Sequence, residues 1–402
     1  MKKLTEVAEV NPRRKTIERA DDRLTSFVPM EAVNDVLGEV TQTISRPFAK
    51  VKKGYTYFED GDVVFAKITP CMQNGKHAIV GNLIDGFGFG STEFHVIRAS
   101  QEVLPEWIHY FLRRKETLDA AIKTFTGTVG QQRVPTSFLE NLEIPVPSID
   151  EQRQIAARLK AQLAEVETAR QAAQGQVREV RLLQSRLLQT TFGVLEDTPA
   201  KLAEVLNEIQ TGKSFQTAEV LARPDELGVL KVSAVSWSRF HAEEAKALNG
   251  DYTPAERHKV KQGDLLISRA NTRELVGAVV LVERDYPMRL LSDKTLRLVV
   301  DESRVSKAFL LYALRTEQAR KHIERYATGT SDSMRNISQD VIKAIPLNLP
   351  PLNKQHRIVA RLKTQLAEVD AIAQAAARQL AEIERLPQRI LAQAFNEQGA
   401  AA

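Results

Sequence analysis

The chain carries one long pattern twice, and that duplication constrains its architecture more than any other feature. Gln152-Arg153-Gln154-Ile155-Ala156-Ala157-Arg158-Leu159-Lys160 returns about 200 residues later as Gln355-His356-Arg357-Ile358-Val359-Ala360-Arg361-Leu362-Lys363. Gln162-Leu163-Ala164-Glu165-Val166 is matched by Gln365-Leu366-Ala367-Glu368-Val369, and the likeness runs on to Phe192 and Phe395, with about half the positions identical over about 40 residues. Two helices can resemble each other by composition, but identity in register behind a proline-rich lead in both copies reads as duplication. Weaker echoes extend it upstream. Gly61-Asp62-Val63-Val64-Phe65-Ala66-Lys67 corresponds to Gly263-Asp264-Leu265-Leu266-Ile267-Ser268-Arg269, and Thr126-Gly127-Thr128 to Thr328-Gly329-Thr330, with Arg133 matching Arg335. Each half therefore reads as a variable domain followed by a long helix. Two copies are too few for a solenoid, whose short units need stacked neighbours.

In the first helix Ile155, Leu159, Leu163, Val166, Ala169, Ala173, Val177, Val180, Leu183 and Leu187 recur at spacings of three and four. The matching positions Ile358, Leu362, Leu366, Val369, Ile372, Ala376, Leu380, Ile383, Leu386 and Ile390 are apolar too. So long a stripe asks for an equally long partner, and each helix is the obvious partner of the other; packing of each on its own domain is the competing reading. Ile144-Pro145-Val146-Pro147 and Ile345-Pro346 with Pro350-Pro351 mark where globular domain gives way to helix, since proline is tolerated before or in the first turn. The expected division is 1–150, a helix over 151–195, a second domain over 196–350 and a second helix over 351–402. Gly175 weakens the first helix, and Pro387 is expected to kink the second near its end. The first helix must leave one domain and reach the other, so the pair is expected to run antiparallel about a pseudo-twofold axis.

The length of 402 residues exceeds one ordinary core. Composition, 43% hydrophobic and 27% charged, is that of a folded protein, and no stretch approaches the roughly 18 apolar residues of a membrane span. The amino end lacks the apolar core of a secretory signal, and the lone Cys71 excludes an internal disulfide framework, which together point to the cytoplasm. The net charge of +5 is thin evidence for nucleic acid, because residues 1–150 carry roughly −1 and 197–350 roughly +2.

The domains read as α+β. Short strands are expected at 61–67, 93–98, 263–269 and 277–283, with one helical stretch at 107–123 and another at 307–326. Each Gly-Asp turn launches a buried strand that ends on a polar cluster: Lys67, Thr69, Gln73, Asn74 and Lys76 in the first domain, Ser268, Arg269, Asn271, Thr272 and Arg273 in the second. Arg and Lys pair with guanine edges and Asn and Gln with adenine, so these side chains can read bases; a solvated polar loop is the plainer alternative. The segment 126–133, with Gln131 and Arg133, and its counterpart 328–335, with Arg335, are glycine-spaced loops that can bring backbone N–H groups and an arginine against phosphates. A loop that merely caps a helix would look the same.

Chemistry is missing. Asp85-Gly86-Phe87-Gly88-Phe89-Gly90 runs into strand-like residues instead of opening a helix, and reads as a turn and not a nucleotide loop. There is no Gly-x-x-x-x-Gly-Lys-Ser/Thr loop and no Asn/Asp-Pro-Pro-Tyr/Phe tetrapeptide, and seven scattered histidines with one cysteine give no metal-ligand spacing. Catalysis falls to other chains, and no cofactor is expected on this one.

This plan resembles the specificity subunits of type I restriction-modification systems over essentially the whole chain. The likeness rests on Ile144 to Ile155 and Ile345 to Ile358, supported by the Gly-Asp-Leu-Leu-Ile-Ser-Arg strand and the Thr-Gly-Thr loops. The second copy departs in having Asn353-Lys354-Gln355 where the first has Asp150-Glu151-Gln152, and two extra residues after Ile345-Pro346. The resemblance implies two target-recognition domains, each reading a few base pairs of double-stranded DNA on either side of a fixed spacer. It implies two modification (methyltransferase) subunits around the helices, bringing S-adenosylmethionine to one adenine per half-site, and restriction subunits adding ATP- and Mg-dependent translocation and cutting. A rod of about 40 residues at roughly 1.5 Å each, on the order of 60 Å, exceeds one DNA turn of roughly 34 Å. A free-standing two-headed regulator and a coiled-coil scaffold without nucleic acid are the competing readings.

Overall fold

A computed structural model describes every residue except 129, 196–197, 238, 251, 332–333 and 401–402, and the side chains of all but these and 330 and 397–400. The chain divides into two compact units, Met1–Gln174 with Arg378–Ala402, and Gly175–Ala377. Both are α+β.

In the first unit the apolar run Val63–Ala66, buried at every position, forms a central strand of an antiparallel sheet ordered Ala8–Val10, Phe94–Ala99, Val63–Ala66, His77–Ile79. In the second unit Leu206–Gln210, Thr295–Val300, Leu265–Ser268 and Val279–Leu281 repeat that order. A second sheet repeats as well. Ile44–Pro47, Leu24–Val28, Phe87–Gly90 and Thr56–Glu59 correspond to Ala245–Leu248, Gly228–Leu230, Tyr286–Leu290 and Lys259–Val260, and in both the middle pair is parallel. The second unit adds an edge strand, Thr217–Leu221.

The Gly-Asp turns are built as their composition requires. Gly61 and Gly263 take φ of +88° and +78°, a left-handed conformation that glycine adopts without strain. The following carboxylates close the turns: Asp62 accepts from Glu59 N at 2.7 Å and Asp264 from Lys261 N at 2.8 Å. Each is also paired with an arginine of the adjacent strand, Asp62 with Arg98 and Asp264 with Arg297.

Three expectations need correction. The helical stretches at 107–123 and 307–326 are each two helices, Pro105–Leu112 with Lys115–Ile122 and Lys307–Ala313 with Glu317–Tyr326. The break is local capping: Arg114 is extended, with φ −63° and ψ 137°, and the Thr316 hydroxyl accepts from Ala319 N. Phe87–Gly90 is a strand, and only Ile84–Gly86 is a turn. Its glycines serve close strand packing, since a Cβ on Gly90 would lie 2.6 Å from Val28 O. In the apolar stripe Ala169, Leu183 and Ile372 are exposed; a straight helix drifts about 20° per heptad from a 3.5-residue repeat, so a seam this long cannot stay on one face.

The long helices run Ile149–Gly193 and Leu352–Ala400, the latter continuing through Pro387. In the first unit Ile155 and Leu159 share a core with Leu391, Ala394 and Phe395, and Trp107 packs on Phe395 at 4.5 Å between ring centroids. In the second, Leu188 and Phe192 pack with Leu362 and Leu366, and Phe192 meets Phe309 at 5.3 Å. Within each unit the two helical segments therefore run in opposite directions. Both long helices are tied to their domains by a fully buried glutamine. Gln152 donates to Glu102 O (3.0 Å) and Pro147 O (2.9 Å) and accepts from Leu104 N (2.9 Å). Gln355 donates to Arg304 O (3.0 Å) and Pro350 O (2.8 Å) and accepts from Ser306 N (2.9 Å). The change to Asn353-Lys354 leaves this knot intact.

Of the three buried imidazoles of the first unit, His95 is bonded to Val134 O, while His77 and His109 lie 5.2 Å apart beside Arg113. Val279 stands in the place of His77 in the second unit, and Leu311 in that of His109. Burial, reinforced by the neighbouring cation, pushes His109 down to about 3; burial, His109 and Arg113 hold His77 well below its ordinary value. An unfolded histidine takes up a proton near pH 6.5 and these folded ones do not, so the unfolded state gains protons as pH falls. Stability is full above about pH 6.5 and declines below it, by about 1.4 kcal/mol per pH unit for each ring that stays neutral. Melting of the first unit is expected to fall accordingly between about pH 6.5 and 4.5, and the double variant His77→Val/His109→Leu to flatten that dependence; an unflattened curve would refute it.

Candidate nucleic-acid interface

The central strand of each first sheet ends on a cation, and in both units a distant segment is laid beside that end. In the first, Lys67 N donates to Glu93 O and Lys67 O accepts from Val134 N, both at 2.9 Å, while Ile68 bridges Arg133 and Thr69 N donates to Gln132 O. In the second, Arg269 N donates to Lys294 O and Arg269 O accepts from Ile337 N, again at 2.9 Å. Ala270 then pairs with Asn336, and Asn271 with Arg335. Lys67 and Thr69 are thus brought beside Gln131 and Arg133, and Arg269 and Asn271 beside Arg335.

The register corrects the pairing read from sequence. Val134 and Ile337 occupy the same place, and Thr126 and Thr328 both hydroxyl-bond across their loops, to Arg133 O and Asn336 O. The structural counterpart of Arg133 is therefore Asn336, and Arg335 corresponds to Gln132, because the second loop is one residue longer. A one-residue shift along extended chain turns a side chain to the opposite face. Arg133 folds back in a bidentate pair with Glu93 at 2.8 and 2.9 Å, holding that carboxyl below the usual carboxylate range. Arg335 instead bonds Gly329 O at 3.0 Å. Thr328–Ser331 pairs antiparallel with Met334–Asn336, so the described residues of this segment are paired strand and not open loop. Val129, Asp332 and Ser333, whose backbone N–H groups belong to the expected phosphate contacts, lie outside the described residues.

The other candidates follow the strand ends. Gln73 and Asn74 are exposed on a turn in which Asn74 N donates to Pro70 O, and Lys76 reaches Met30 O at 3.2 Å. Thr69 is buried, with no hydrogen bond to its hydroxyl among the described residues. Ser268 is fully buried and donates to Ala270 O, whereas Asn271 accepts from Thr272 N at 2.8 Å. Arg273 is largely exposed, 4.0 Å from Glu324. Sequence reasoning passed over Glu93, Lys294 and Asn336. These residues set the charge beside each strand end, and only the pairing of strands reveals them.

A family model described as the type I restriction modification DNA specificity domain matches residues 1–173 and 202–385. The chain is 27% identical over 455 residues to the type I restriction enzyme EcoEI specificity subunit of Escherichia coli, covering 90% of this chain and 76% of that one. Over 157 residues, 39% of this chain and 26% of the relative, it is 38% identical to the EcoAI specificity subunit of Escherichia coli. A solved chain from a study of complex assembly and conformational transition of the type I R-M system aligns with TM-score 0.77 at 22% identity, over 98% of this chain and 96% of that one. The HsdS subunit from Thermoanaerobacter tengcongensis aligns with TM-score 0.55 at 23% identity, over 98% and 95%. At these identities the structural likeness is one of fold.

Proposed function

The chain belongs to the type I restriction-modification DNA specificity family, and from that premise we propose that each of its two units carries a target-recognition domain reading one part of a split DNA site. As a specificity subunit it is non-catalytic and sets the address for partner subunits. The observation that carries the reading is the doubled construction of the site: a cationic strand end, Lys67 or Arg269, held against a glycine-bearing segment by the same backbone bonds. Because the side chains there differ, the half-sites differ. Lys67, Asn74, Arg269 and Asn271 supply base or groove contacts, and Arg133 and Arg335 phosphate contacts, with Arg133 leaving Glu93 to do so. Residues 1–150 and 196–350 are the recognition domains, and 151–195 and 351–402 the spacer that fixes the gap. Two modification subunits carry S-adenosylmethionine to one adenine in each half-site, and restriction subunits supply ATP- and Mg-dependent translocation and cleavage, all in the cytoplasm.

Long-read methylation sequencing of the host with and without this gene tests the reading. Deletion is expected to erase a two-part methylated motif, and unchanged methylation would count against it. In the same assay Arg269→Ala is expected to relax specificity in one half-site only, by the 1–3 kcal/mol or so that a bidentate base contact contributes. Uniform loss across unrelated sequences would make Arg269 a phosphate contact instead.

A further inference from the structure

A cleft of about 300 Å3 in the second unit is lined by four lysines from separate segments, Lys213, Lys231, Lys246 and Lys294. Lys231 is matched by Glu244 at 2.6 Å and Lys246 by Glu219 at 2.9 Å. Glu219 is itself 89% exposed, so its hold on Lys246 is weak. Lys213 and Lys294 are exposed and form no ion pair among the described residues. Asp293 is the one carboxylate in the lining, so positive charge prevails.

Two features fix this cleft beside the candidate interface. Gly212 presses so closely on the chain at 291–292 that a Cβ there would lie 2.0 Å from Leu291 O, which seats Lys213 against the turn bearing Lys294. That turn is held in shape by Ser292 N donating to Thr295 Oγ1 at 3.0 Å and Lys294 N to Ser292 Oγ at 3.3 Å. Lys294 O in turn accepts from Arg269 N. The first unit has an anion at the equivalent place, Glu93, whose O accepts from Lys67 N and whose carboxylate is occupied by Arg133.

We infer that this cleft holds the phosphate backbone of the DNA strand passing Arg269 and Asn271, with Lys213 and Lys294 as two phosphate contacts, of which Lys294 stands where the first unit has Glu93. The inference rests on the DNA-specificity reading above and goes beyond it in making the grip on the two half-sites unequal. A lysine ammonium suits this task, as a compact point charge whose flexible stem tolerates any sequence.

The test uses the full chain assembled with its modification subunits, wild type and Lys213→Ala/Lys294→Ala, titrated with a duplex bearing the methylated motif at about 50 to 200 mM salt. Each phosphate contact contributes about 0.9 to the slope of log affinity against log salt, so the variant slope is expected to be shallower by about 1.8. The fourfold rise in salt then costs the variant about tenfold less affinity than it costs wild type, with the motif unchanged and Lys213→Arg/Lys294→Arg retaining the wild-type slope. An unchanged slope, with wild type binding normally, overturns the cleft and leaves the specificity reading standing. A wild-type complex without salt-dependent affinity for the duplex overturns both.

Discussion

Gln152→Leu is expected to destabilise the first unit by about 2–4 kcal/mol, since it takes the partner from three partly buried backbone groups, each towards the lower end of the roughly 1–3 kcal/mol that an unmade buried hydrogen bond costs. The groups are Leu104 N, Glu102 O and Pro147 O, all bonded to a side chain that is itself fully buried. Leucine has about the right volume but can neither donate nor accept, so the loss is one of polar pairing and not of packing. For a unit of this size the shift in melting midpoint is about 10 °C. Gln355→Leu is expected to do the same to the second unit, where Ser306 N, Arg304 O and Pro350 O lose their partner. Gln154→Leu, at an exposed position two residues along, controls for the substitution itself and should move the midpoint by no more than about 1–2 °C. Scanning calorimetry of the three variants decides the matter. A Gln152→Leu protein that melts with wild type means the knot is dispensable.

That knot explains why the helix starts are so legible. Gln-x-x-Ile places one residue into the domain and another, Ile155 or Ile358, against the core, and this geometry is local enough for sequence to carry. Flanking residues are freer: Glu151 bonds back to Ser148 N and Oγ at 2.9 and 2.7 Å in the first copy, an N-terminal capping box, while the second copy has Pro351 and no such box. The Gly-Asp turns are legible for the same reason, since glycine supplies positive φ and the next carboxylate closes the turn.

Features decided by pairing between distant segments were not legible. The strand Phe87–Gly90 looks like a glycine turn until Leu24–Val28 is placed beside it. The match of Arg133 to Arg335 follows the letters, but Thr126 and Thr328 anchor Arg133 and Asn336 instead. Glu93 and Lys294 are unremarkable in sequence, and become opposed charges at equivalent sites only once the strands that follow them are paired, Phe94 with Ala66 and Thr295 with Ser268. What sequence shows well here is period and turn chemistry. Which side chain a register brings to a strand end is a property of the fold.

Inserting one heptad into both long helices, between Ala173 and Val177 and between Ala376 and Leu380, is expected to abolish methylation at the native motif and move it to one with a wider gap. Seven residues lengthen a helix by about 10 Å, which on duplex DNA at about 3.4 Å per base pair is up to about 3 bp. The insertions must be made together, because each core uses the start of one helix and the end of the other: Ile155 with Phe395 in the first unit, Leu362 with Phe192 in the second. Lengthening one helix alone would slide contacts such as Gln184 to Asp370 out of step. A whole heptad keeps the apolar face within about 20° of its direction, so the seam survives where an insertion of two or five residues would turn it away. The half-sites themselves should be unchanged, since no residue of either strand end is touched. Methylation sequencing of the double-insertion strain reads both quantities at once. The same half-sites at a wider gap would show that the helices are the ruler. The native gap retained at full methylation would place the ruler elsewhere, in the partner subunits or in the DNA.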